Sequence, residues 1–173
     1  MILGIDPGRA GAIVAIDGST VLYQRHADGP HGYHRHAPKA DPDPAAMMQA
    51  LLEVRELGRV AGVVVEAPAY GGAGQAGQRM SAGVAGHIGM EAGLWRGLLT
   101  AWGWPYEILR PQDWRKRAGI TVGKGGDPKA ATIAHVGRLL PGLDLYPGRK
   151  RTAHDGLADA AGMALAWQRG GAA

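Results

Sequence analysis

Apolar positions along this chain follow two rhythms, short runs and a helical repeat. The opening stretch "MILGID" is a short apolar run ending on a carboxylate, and it predicts a strand. Pro7 biases Asp6 toward extended backbone, so Asp6 is expected at the strand's end. In "AIVAIDGSTVLYQR" two apolar runs flank Asp17-Gly18, the type I′ hairpin signal. The chain therefore opens as three consecutive antiparallel strands. Residues 26–43 are polar, with prolines and histidines, and read as a loop. Asp43-Pro44 is an N-cap with proline at the first helical position, and it predicts a helix over "PAAMMQALLEVRELG". "RVAGVVVEA" is apolar until Glu66, as for a strand covered on both faces.

A glycine-rich stretch follows. Then "QRMSAGVAGHIGMEAGLWRGLLTAWG" has a long helical pattern, whose small residues predict close packing against a neighbour. "YEILRP" reads as a strand and "PQDWRKRAG" as a short helix. Asp127-Pro128 repeats the capping signature before "KAATIAHVGRLL", and "HDGLADAAGMALAWQRG" forms the last helix. Three strands in series, then helices alternating with strands, predict an α/β fold. Its expected form is a mixed five-stranded sheet flanked by helices, in a single domain over 1–173.

Composition narrows the class. A chain of 173 residues, 46% hydrophobic and 20% charged, can bury a real core. No apolar run is long enough to span a bilayer, and "MILGIDPG" lacks the basic and apolar regions of a signal peptide. With no cysteine, disulfides and thiolate metal sites are excluded. A cytoplasmic protein without a membrane partner is expected. The net charge of +4 permits a polyanionic partner. Positive charge concentrates in "RPQDWRKRAGITVGKGGDPK" and "PGRKRTAH", which makes Arg115, Lys116, Arg117, Lys124, Arg149, Lys150 and Arg151 candidate contacts for such a polyanion.

The acids carry the chemistry. Asp6 and Glu66 each end a strand. If those strands are adjacent and parallel, both side chains stand at one carboxyl edge, where open α/β sheets bind ligands. Asp155 and Asp159 lie four apart and share one helical face, inward because apolar residues surround Asp159. Clustered carboxylates repel one another unless a cation compensates. Mg²⁺ accepts a few carboxylates together with substrate phosphate oxygens, and paired ions can drive phosphodiester cleavage.

These residues resemble the RuvC-like Holliday junction resolvases of the RNase H-like superfamily. "ILGIDPG", "VVVEAP", "RPQDWRKRAGITVGKGGDPK" and "HDGLADAAGMALA" stand in the family's order and span nearly the whole chain. The middle helix followed by "PYEILRPQDWRK" is more similar to the phage-type branch than to the bacterial housekeeping enzyme. The resemblance implies an RNase H-like sheet and a homodimer that binds four-way junction DNA. Each subunit would cut one of two symmetric strands using two Mg²⁺ or Mn²⁺ ions per site, leaving 5′-phosphate ends. Asp6, Glu66 and Asp159 match three of the family's acids. The bacterial pattern puts the fourth ligand three residues before the last aspartate, where this chain has Gly156. Asp155, with His154 beside it, is taken instead because an i, i+4 pair faces one site. Lys129 resembles the family's phosphate-contacting lysine. Tyr70 stands near the family's aromatic wedge and could stack on an unpaired base.

Other signals lead elsewhere. Gly72, Gly74 and Gly77 spell a dinucleotide-like pattern, but the first strand does not open onto it and no second strand follows. "GITVGK" is one residue too short for a P-loop. His26, His31, His34 and His36 have no zinc-site spacing. Three alternatives to a resolvase are weighed on these residues: another RNase H-like nuclease acting on RNA or an RNA–DNA hybrid, a non-catalytic junction-binding protein, and a sugar-kinase-like ATPase, whose second phosphate-binding lobe 173 residues hardly provide.

Overall fold

The computed structural model describes residues 1–8, 10–27, 32–33, 42–68, 82–149 and 151–171. Strands β1 (Ile2–Asp6), β2 (Ala12–Asp17) and β3 (Thr20–His26) form an antiparallel meander. The hairpin forms where Asp17-Gly18 signals it, but Asp17 pairs with Thr20, so Gly18 and Ser19 reverse the chain. Gly18 takes φ 58°, the left-handed region glycine enters freely. Helix α1 (Pro44–Glu56) starts on Asp43, whose carboxylate accepts from Ala45 N and Ala46 N. Strand β4 (Gly62–Glu66), helix α2 (Ala82–Ala101) and strand β5 (Tyr106–Leu109) follow. Helices α3 (Pro111–Ala118), α4 (Pro128–Leu139) and α5 (Asp155–Gly170) complete the fold.

The five-stranded sheet runs β3-β2-β1-β4-β5, with β1–β4 and β4–β5 parallel. Side chains alternate across it, as the strand repeat requires. Leu3, Ile5, Val63 and Val65 pack with α1 and α2, through Met47, Leu51, Trp95 and Leu99. Val14, Ile16 and Val64 pack with α3, α4 and α5 on the other face. The mixed sheet flanked by helices is therefore present as the sequence predicts.

Glycine sets how closely α5 approaches. A Cβ on Gly4 would stand 1.8 Å from Ala160 O, so β1 and α5 meet backbone to backbone. At Gly162 a Cβ would press on the Trp114 ring at 2.7 Å, so this gap admits the indole. The α2 glycines behave differently. At Gly86, Gly93 and Gly97 a Cβ would meet nothing within 4 Å. The close packing expected of that face is not made among the described residues.

Candidate active site

Strand parity decides where the acids point. Asp6 lies two residues beyond Gly4, and Glu66 two beyond Val64, so both face α5. Parallel register pairs Ile5 with Val65, which puts the next residues, Asp6 and Glu66, side by side at the carboxyl edge. The first turns of α5 bring Asp155 and Asp159 to the same edge. All four acids sit close enough that Glu66, Asp159 and Asp155 each raise the pKa of Asp6.

Each acid has a different environment. Asp6 is held well above the usual carboxylate range, by burial first and then by its carboxylate neighbours. Among the described residues, no donor or cation contacts its carboxyl group. Burial also raises Glu66, against the pull of Trp114, whose Nε1 donates to Glu66 Oε2 at 2.8 Å. Burial raises Asp159 too, partly offset by Arg115. Arg115 Nη2 donates to both Asp159 oxygens at 3.4 Å, its Nε donates to Thr132 Oγ1 at 3.3 Å, and its guanidinium lies over the Trp114 ring. For Asp155, burial pushes upward but Lys129 wins, and the pKa falls. Lys129 Nζ forms an ion pair with Asp155 Oδ2.

The fourth position has a steric explanation. A side chain at residue 156 would stand 2.1 Å from Ala10 O, so only glycine fits where the bacterial pattern has a ligand. His154 is the N-cap of α5. Its Nδ1 accepts from Leu157 N at 3.2 Å, and its ring packs against His26. Asp155, not His154, stands among the charges acting on Asp6.

The predicted basic residues divide. Arg115 is turned inward, with only 16% of its side chain exposed, and serves Asp159. Arg117 is paired with Glu107 at 2.6 Å. Lys116, Lys124 and Arg151 are exposed. Tyr70, Lys150, His31, His34, His36 and the glycine pattern lie outside the described residues, as does the side chain of Arg149.

Sequence reasoning missed two contributors. Trp114 holds Glu66 through its indole N–H. Glu91 of α2 is a further acid, 5% exposed, that accepts from Gly8 N at 2.8 Å and adds to the charge on Asp6. A lone carboxylate in an otherwise uncharged stretch, "AGVAGHIGMEAGL", was its only signal. With Pro7, Gly8, Glu66 and Ala67 it lines a cleft of about 240 Å³, room for several water molecules.

No protein-family model matches the chain, and no curated protein matches it. Solved structures do. RuvC from Thermus thermophilus aligns over 96% of this chain and 92% of its own, with TM-score 0.61 and 23% identity. T. thermophilus RuvC in complex with Holliday junction substrate aligns over the same shares, with TM-score 0.59 and 20% identity. This chain has a RuvC-like, RNase H-like fold. In this RuvC-like fold, strands from the start and middle of the chain and a helix from its end deliver acids to one edge.

Metal fit rests on this chain's own atoms. Among the described residues, no three Asp, Glu or His side chains stand together as a finished metal site. The donors are carboxylate oxygens, which hard divalent cations take. Asp6 decides the matter, since an acid crowded by like charges and without a donor gains most from a cation. In donor chemistry the set suits a hard divalent cation.

Proposed function

We propose that this chain is a divalent-metal-dependent, structure-selective DNA endonuclease, a resolvase that nicks two symmetric strands of a four-way junction. The observation that carries the reading is the convergence of Asp6, Glu66, Asp155 and Asp159 at one edge of a RuvC-like sheet. Asp6, Glu66, Asp155 and Asp159 would hold the metal, two ions per site. Bound metal supplies Lewis-acid chemistry, activating water and stabilising the leaving oxygen.

The chain's own residues do the rest. Trp114 orients Glu66, and Arg115 draws the Asp159 pKa down against the effect of burial. Lys129 leaves Asp155 for a phosphate oxygen as substrate enters. Lys116, Lys124 and Arg151, with Arg149 and Lys150 from the same basic segment, grip the backbone, and Tyr70 stacks on an unpaired base. Such binding weakens steeply with salt. Two copies related by a two-fold axis would place paired nicks, and the open glycine face of α2 supports a homodimer.

The test is cleavage of an immobile four-way junction, a linear duplex, an RNA–DNA hybrid and single-stranded RNA, with and without divalent cation. Paired nicks in the junction alone are expected. Preferred cleavage of hybrid or RNA would move the chain to another RNase H-like activity, and binding without cleavage to a junction-binding protein.

A further inference from the structure

The peptide just after Asp6 is an unusual place to anchor a catalytic acid. Gly8 adopts φ 115°, in the region that favours glycine, and glycine is also the least restrained residue. Left alone, this turn would let the end of β1 and the Asp6 carboxyl wander. Among the described residues, the following bonds restrain it. Tyr33, fully buried, donates from Oη to Asp6 O at 3.1 Å. Gly11 N donates to Gly8 O at 3.0 Å. Glu91 Oε1 accepts from Gly8 N at 2.8 Å, across 83 residues of sequence.

Glu91 is the charged member of the buried stripe of α2, beside Ala92, Trp95 and Leu99. Its neighbour in the stripe, Trp95, packs edge-on against Tyr33. Helix α2, which packs on the Leu3 and Ile5 face of the sheet, thus braces the turn directly through Glu91 and indirectly through Trp95 and Tyr33.

We propose that Glu91 is a positioning residue for Asp6, fixing the Gly8 turn by accepting its N–H and so setting the direction of the Asp6 carboxylate. This rests on the reading of Asp6 as a metal-holding acid. The role needs an acceptor rather than a charge. Glu91→Gln keeps the acceptor, while the similarly long Glu91→Met removes it.

The test titrates Mn²⁺ into the parent chain and both variants by calorimetry, and follows Gly8 amide hydrogen exchange by NMR. Glu91→Met is expected to bind Mn²⁺ about tenfold more weakly, as for lost support of a metal ligand, with faster Gly8 exchange. Glu91→Gln should keep the parent's affinity and protection. Unchanged Mn²⁺ affinity in Glu91→Met overturns the proposal, as does a Gln variant as weak as the Met variant. Should Glu91→Met fail to fold, Glu91→Ala takes its place under the same criteria. A parent chain that binds Mn²⁺ but nicks no junction sinks the nuclease reading and leaves this proposal standing. A parent that binds no Mn²⁺ sinks both.

Discussion

Trp114 donates its indole N–H to Glu66 at 2.8 Å while its ring lies under the Arg115 guanidinium. One buried ring therefore places both an acid and the cation that serves another acid. Trp114→Phe removes the donor and part of the packing. It is expected to cost about 2–3 kcal/mol in urea unfolding. Metal-dependent nicking should fall further than junction binding, since the exposed basic residues are untouched.

Asp6 should oppose folding when metal is absent. Its pKa is raised in the folded chain, as are those of Glu66 and Asp159, so the folded state keeps protons that the unfolded state releases. Their contribution to stability is thus lost as pH rises above the ordinary carboxylate range near ~4, levelling off once the folded acids ionise. Asp6→Asn should unfold a few degrees higher than the parent in chelator at pH 8. The gap should narrow toward pH 5. The variant should also lose most of the metal-induced rise in melting temperature and all nicking, with junction binding kept.

Arg115 and Asp159 form a largely buried pair, with 16% and 11% of their side chains exposed. Arg115→Met leaves Asp159 without its cation and should cost roughly 3 kcal/mol. Because Arg115 lowers the Asp159 pKa, its loss should move the acid limb of the nicking pH profile upward. An unmoved limb would show that Asp159 ionisation does not limit the reaction.

Lys116, Lys124 and Arg151 are exposed. Replacing all three by Ala should leave the melting temperature unchanged. Junction affinity should fall, and the slope of log affinity against log salt should flatten by about 3 if each neutralises one phosphate.

Much of this arrangement was readable from the chain because it is local. Asp6 and Glu66 each close an apolar run, and alternation within a strand fixes the face each takes. Asp155 and Asp159 share a helical face by spacing alone. What escaped the sequence lies between elements. Arg115 stands in an "RKR" run where every residue looks solvent-bound, yet one turn of α3 points it at Asp159, 44 positions on. Glu91 and Gly8 are joined across two elements with no shared pattern. The exclusion of a side chain at Gly156 depends on Ala10 O, which no periodicity locates. The α2 glycines predicted a packed face that the described chain leaves open.

The contact between Gly4 and Ala160 has a bearing on how this protein can change. Asp6 is two residues from one partner, and Asp159 adjoins the other. Main-chain atoms form the spacer between the two acids, and exchanging side chains cannot lengthen or shorten it. Variation can reshape the grip on substrate or the counter-charges, but the gauge between these carboxylates is inherited whole with the strand and helix that carry them.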